Sequence, residues 1–327
     1  MNQSALRVRD LVVHYGPRHR TPPAVDGVSF DIAPGETLGL VGESGSGKST
    51  IGKAILGLQA ASSGSITLNG TDITKASLRQ RRVSAIDLRA VFQDPYSSLN
   101  PAQSIGRTLV EPLRVLRVPK HEQWQRARDA LEAVGLPNDA IDRGPAQLSG
   151  GQRQRVAIAR ALVCDPRVIV LDEPVSALDL STQAQVLNLL ADLRDRRQLA
   201  LLFIAHDLGV VRFLSQRVVV LYRGQVMEQG DVESVTQDPR HPYTVALTAA
   251  APVPHPAEQA RRRTAREALG IGAAGTAAAA PTGCPFVNRC PLAADPCRTE
   301  RPPLTGTGDT AAACHRLDEA AALRAAH

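Results

Sequence analysis

An apolar run, Glu36-Thr37-Leu38-Gly39-Leu40-Val41, leads straight into Gly42-Glu43-Ser44-Gly45-Ser46-Gly47-Lys48-Ser49, which has the spacing G-x-x-x-x-G-K-[ST]. Glycines at these positions let backbone N–H groups converge on phosphate, at a helix N-terminus whose dipole favours anions. Lys48 is then placed to neutralise the β- and γ-phosphates, and the Ser49 hydroxyl to ligate Mg²⁺. The motif demands a buried strand before it and a helix after it. Strands alternating with helices along the rest of the chain then imply a mainly parallel α/β core.

A second segment completes the chemistry. Val168-Ile169-Val170-Leu171 is an apolar strand ending in Asp172-Glu173, and α/β sheets bind ligands at the carboxyl ends of their strands. Asp172 is expected to hold Mg²⁺ through water and Glu173 to polarise the attacking water. Leu148-Ser149-Gly150-Gly151-Gln152 precedes a helix striped by Val156, Ala159 and Val163. Ser149 reads as its N-cap, and the glycines leave its free N–H groups accessible as a second anion site.

Other elements follow from pattern. Leu6 to Tyr15 alternates as a strand, a proline- and basic-rich loop spans Gly16 to Pro23, and Val28 to Ile32 forms a second strand. Ile66-Thr67-Leu68 enters a hairpin turn at Asn69-Gly70. Trp124, Ala127, Leu131 and Val134 fall at helical spacing, with Gly135 and Pro137 as the stop. Leu199 to Ala205 reads as a strand covered on both faces, preceded by a helix striped by Val186, Leu189, Leu190 and Leu193. The span from about 94 to 145 reads as helix-rich and inserted in the core. Beyond Pro252 the texture becomes that of a connector, and four of the five cysteines fall after position 283. Cys164, the fifth, reads as a small buried residue.

Composition narrows the function classes. With 327 residues, 43% of them hydrophobic, the chain has material for a sizeable core and about two domains. No apolar stretch approaches the ~18–20 residues needed to cross a bilayer, and the N-terminus shows no secretory h-region, so an intracellular protein is expected. The charge of +6 comes with only 3% aromatics and no basic–aromatic stripe, so nucleic acid is not expected as a partner.

LSGGQ at 148–152 is the signature of ABC transporters, and the motifs stand in that family's order over residues 5–235. The chain therefore resembles the nucleotide-binding subunit of an ABC transporter. The resemblance implies a P-loop NTPase ABC cassette: a mainly parallel core sheet, an antiparallel β subdomain and an inserted helical subdomain, over residues 1–251. It adds Tyr15 as the aromatic stacking on adenine, and Thr50 to the ATP-binding loop. Gln93 becomes the glutamine near Mg²⁺ and the attacking water. Ser176-Ala177-Leu178-Asp179 matches the D-loop, and His206 the switch histidine. Two such domains are implied to clamp each ATP between one subunit's phosphate loop and the other's Ser149-type helix terminus.

A narrower resemblance rests on Phe92-Gln93-Asp94-Pro95-Tyr96-Ser97-Ser98-Leu99-Asn100-Pro101, on His241-Pro242-Tyr243-Thr244, and on Cys284, Cys290, Cys297 and Cys314. These are similar to the oligopeptide, dipeptide and nickel importer ATPases, most closely to the second of their paired subunits. That resemblance implies a C-terminal linker and tail at 252–327 whose four thiolates hold a [4Fe–4S] cluster, with Zn²⁺ or unligated thiols as alternatives. It further implies a paralogous ATPase partner, two membrane permeases, an extracytoplasmic solute-binding protein acting indirectly, and a peripheral place on the cytoplasmic membrane face. The implied function is ATP-driven peptide import. Nickel or another solute, export, or a soluble ABC ATPase on nucleic acid are the alternatives.

Overall fold

The computed structural model describes residues 4–16, 21–93, 99–250, 282–307 and 310–325. The Asp94–Ser98 part of the importer motif, most of the basic loop and the connector up to 281 lie outside them, as does the boundary expected at 251/252.

Two sheets organise the described residues. The smaller has four strands in the order β2 (Val25–Ile32), β1 (Leu6–Val13), β4 (Ser63–Leu68) and β5 (Thr71–Asp72), all antiparallel. The expected first strand stops at Val13, two residues short, while β2 starts three residues early. Asn69 and Gly70 turn β4 into β5 with positive φ at both, as a two-residue hairpin requires.

Among the described residues the larger sheet has eight strands. Its parallel part runs β9 (Arg217–Tyr222), β3 (Thr37–Val41), β8 (Ala200–Ala205), β7 (Val168–Asp172), β6 (Leu88–Val91). Beyond β9 it continues antiparallel through β10 (Gln225–Asp231), β12 (Thr310–Ala312) and β11 (Thr305–Thr307). The C-terminal segment therefore extends the sheet edge, through pairs such as Glu228 with Ala312.

Successive side chains on a strand face opposite ways, and the apolar runs supply both faces. Leu202 and Ile204 join a core with Leu38, Leu40, Val168, Val170 and the smaller sheet. Leu201 and Phe203 join a second core with Ile169, Leu171 and the helices of the other face. Phe203 is fully buried, so truncating it to alanine is expected to cost ~3–5 kcal/mol.

The helices fill these faces in chain order. α1 (Lys48–Leu56) follows β3, and α2 (Leu78–Asp87) begins with a capping box between Ser77 and Gln80. α3 (Ile105–Val115), α4 (Lys120–Ala133) and α5 (Gly150–Leu162) lie between β6 and β7 and pack on one another. α6 (Leu180–Arg197) buries Val186, Leu187, Leu190 and Leu193; the expected Leu189 is partly buried and packs against the same core, and Leu187 joins the buried set. α7 (Leu208–Leu214), α8 (Val232–Gln237) and α9 (Pro242–Ala250) complete the second layer, followed in the tail by α10 (Asp295–Thr299) and α11 (Leu317–Ala325). Among the described residues no helix is long and apolar enough to cross a membrane.

Candidate active site

The loop between β3 and α1 curls around its own lysine. Lys48 is buried, and its Nζ donates to the Gly42 carbonyl at 2.7 Å, the Glu43 carbonyl at 2.9 Å and Ser46 Oγ at 3.4 Å. Burial lowers its pKa, against the pull of Glu173, Asp172 and Glu43. Gly47 caps α1 with a φ of 103°, and a Cβ there would stand 2.5 Å from the Ala24 carbonyl oxygen. Only glycine fits that place. Ser44 and Gly45 are exposed, leaving the loop's rim open.

Asp172, at the carboxyl end of β7, accepts a hydrogen bond from Ser49 Oγ at 2.9 Å. Burial pushes the Asp172 carboxyl up, with the Ser49 hydrogen bond opposing it. A hydroxyl and a desolvated carboxylate side by side form a hard oxygen pair, which suits Mg²⁺. Glu173 follows in the left-handed region, φ 50°, held by its N–H to the Ile204 carbonyl at 2.9 Å. Its Oε2 lies 3.3 Å from Nδ1 of His206, the first residue after β8. The sheet thus brings Lys48, Ser49, Asp172, Glu173 and His206 to one edge. Val91 is registered opposite Leu171, so Gln93 leaves β6 at that same edge and is exposed there. Tyr15 is half exposed, its hydroxyl 3.2 Å from Thr50 Oγ1.

Two further motifs sit at helix starts. Ser149 caps α5: its Oγ accepts the Gln152 N–H while Gln152 Oε1 accepts the Ser149 N–H. Leu148 is buried beneath it. A Cβ on Gly151 would meet Thr182 Cγ2 at 2.3 Å, so this glycine lets α5 and α6 approach. Asp179 caps α6 and accepts from Ser181 Oγ, Thr182 N–H and Thr182 Oγ1, which together depress its pKa strongly. Ser176 Oγ donates to the Glu173 carbonyl, and Ala177 and Leu178 continue the turn.

Sequence reasoning missed a group behind the phosphate loop. Tyr243, in the His241-Pro242-Tyr243-Thr244 motif, accepts the Glu43 N–H on its hydroxyl at 2.9 Å. His241 is fully buried, burial pushes it down to about 3, and its Nδ1 accepts the Tyr243 N–H. Glu228 of β10 accepts the N–H groups of Arg240 and His241, and burial raises its pKa. From the tail, Arg289 holds both carboxylate oxygens of Glu43, at 2.8 and 3.0 Å. The motif's histidine and tyrosine were available as signals; Arg289 carried none.

The cluster expected at Cys284, Cys290, Cys297 and Cys314 is not supported. Among the described residues no group of three or more His, Cys, Asp or Glu is placed to hold a metal ion. The thiols lie within electrostatic reach of one another, but burial governs them, pushing Cys284 up to about 11 and Cys290 up to about 12. Cys164 is buried, as expected, in contact with Arg89.

Residues 25–176 match the ABC transporter family, and residues 227–297 match the C-terminal region of oligopeptide/dipeptide transporters. The chain is 48% identical over 300 residues to a putative peptide import ATP-binding protein of Brucella ovis, covering 91% of this chain and 93% of that one. It is 43% identical to the oligopeptide transport ATP-binding protein OppF of Salmonella typhimurium, covering 96% of each. Among solved structures it resembles cbiO1 of Clostridium perfringens, part of the cbiONQ ABC transporter complex, with a TM-score of 0.66 at 29% identity, over 72% of this chain and 92% of that one. It also resembles the ATP-binding cassette MJ0796, solved as a dimer in a post-hydrolysis state with ADP and Pi, with a TM-score of 0.62 at 28% identity, over 69% and 98%.

Proposed function

This chain belongs to the ATP-binding subunits of ABC-type peptide importers, and from that premise we propose how its residues divide the work. Its activity is ATP hydrolysis, and that hydrolysis energises the import of peptides. The C-terminal family match and the relatives' names both speak for peptide over nickel, export or nucleic acid.

The observation that carries the mechanism is the Ser49–Asp172 contact beside buried Lys48. Gly42 to Thr50 bind the nucleotide's phosphates, Tyr15 stacks on its base, and Lys48 neutralises charge on the β- and γ-phosphates. Ser49, Asp172 and Gln93 would hold Mg²⁺, which supplies charge neutralisation on the phosphate oxygens when bound. Glu173 takes the proton of the attacking water, and His206, hydrogen-bonded to it, keeps that carboxylate aimed. Leu148 to Gln152 complete the site of a second, paralogous ATPase subunit, with Ser176 to Asp179 at the seam. Ser149 being exposed supports that role.

Two membrane permeases would provide the path, with an extracytoplasmic binding protein delivering peptide to them, and the subunit would sit on the cytoplasmic face. A cleft of about 430 Å³ lined by Leu58, Arg81, Ala85, Phe92 and Pro112 suits a short permease helix. Phe92 adjoins Gln93, which links that cleft to the nucleotide. The test is the subunit assembled with its permeases: hydrolysis should rise when peptide-loaded binding protein is added. Hydrolysis indifferent to peptide would contradict the reading.

A further inference from the structure

We infer that Arg289, carried by the C-terminal tail, is a positioning residue for the phosphate loop, acting through Glu43. Glu43 is the second residue of that loop and adds a carboxylate where a polyanionic nucleotide must enter. Left unpaired, it would repel the phosphates. Arg289 supplies the matching charge in a two-pronged grip, 2.8 Å to one oxygen and 3.0 Å to the other. Paired guanidinium and carboxylate of this kind are both strong and directional.

The grip is built from the tail's own packing. The Arg289 guanidinium stands 5.7 Å from the Tyr222 ring centroid and 5.5 Å from that of Phe286, and its side chain is only 17% exposed. Phe286 is fully buried against Tyr222, Tyr243 and His241. The tail is anchored further by β12 on β10 and by Arg301, whose guanidinium donates to the carboxylate and carbonyl of Asp26.

Glu43 is consequently held at every polar group it has. Its carboxylate meets Arg289, its N–H donates to Tyr243, and its carbonyl accepts from Lys48. Docking of the tail and binding of nucleotide become linked: each favours the same arrangement of Glu43. The C-terminal segment thereby acts on the ATP site without touching substrate.

This inference rests on the reading that the Gly42–Ser49 loop binds ATP, and the experiment separates the two. Affinity for ATP is measured on the full chain, with Lys48→Ala as the control for the reading. Arg289→Ala should weaken ATP binding about tenfold, the scale of one unpaired charge near the ligand. Arg289→Lys, a point charge lacking the fork, should fall between. Arg289→Ala combined with Glu43→Gln should return to within about threefold of the parent, because the repelling charge is gone. A role confined to tail packing predicts no such rescue, since both variants lose the same stacking. A double variant as weak as Arg289→Ala, or an Arg289→Ala variant that binds like the parent, would overturn the inference. Unchanged binding in Lys48→Ala would instead overturn the ATP-site reading, and the inference with it.

Discussion

Ser49 Oγ donates to Asp172 Oδ1 at 2.9 Å although 123 positions separate the two residues. The contact joins the start of α1 to the end of β7 across the parallel sheet. It predicts that Asp172→Asn lowers Mg²⁺-dependent ATP hydrolysis by at least ~10²-fold, as removal of a preorganised charge does. ATP binding measured in EDTA should change little. Equal loss of binding with and without Mg²⁺ would move Asp172 out of the metal's reach.

Glu173 is held in the left-handed region with His206 beside its carboxylate. Glu173→Gln should retain ATP binding while lowering turnover at least ~10²-fold, the scale of a general base. It should also accumulate the ATP-bound dimer, visible by gel filtration. Near-normal turnover in the assembled transporter would assign the proton elsewhere.

The two anion sites should separate by subunit. Lys48→Ala should weaken ATP binding by the lone subunit, since its contacts are made within one chain. Ser149→Arg should spare that binding and block closure with the partner, because Ser149 is exposed and its hydroxyl caps its own helix. Matching losses in both lone subunits would contradict the shared site.

Much of this arrangement was legible in the sequence because its signals are local. β3, β7 and β8 are apolar runs ending in loop or acidic residues, and the pleat sends alternate side chains into two cores. Ser149 and Asp179 stand where short polar side chains cap helices. The tail was not legible. β11 and β12 are only three residues each, and their Gly and Ala dilute the strand preference of the threonines, so their addition to the sheet edge left no pattern. Arg289 meets Glu43 from 246 positions away, and only the fold joins them. The cysteine spacing suggested ligands, and three of the four thiols, Cys284, Cys290 and Cys297, lie in or against the same apolar core as Phe286.

Acid should loosen the His241 region. His241 is buried and uncharged in the fold, down to about 3 from an ordinary 6.5, so the unfolded chain binds the extra proton between those values. Stability from this group is therefore full above pH 6.5 and is lost as pH falls toward 3. At pH 5 the loss is about 2 kcal/mol. Glu228, raised by burial, acts in the opposite sense, because the fold favours its protonated form. Comparing the parent with His241→Gln isolates the histidine. The drop in urea-unfolding free energy from pH 7 to pH 5 should be smaller in the variant by roughly that amount.

ATP hydrolysis at this site is expected to drive peptide import. The most direct measurement is uptake of a labelled peptide into proteoliposomes holding the permeases, this subunit and the second ATPase subunit proposed above, with ATP on the subunit's side. The parent should accumulate peptide only while ATP is hydrolysed, and Lys48→Ala should abolish both together. Peptide accumulation that continues at the parent's rate with Lys48→Ala would contradict the account.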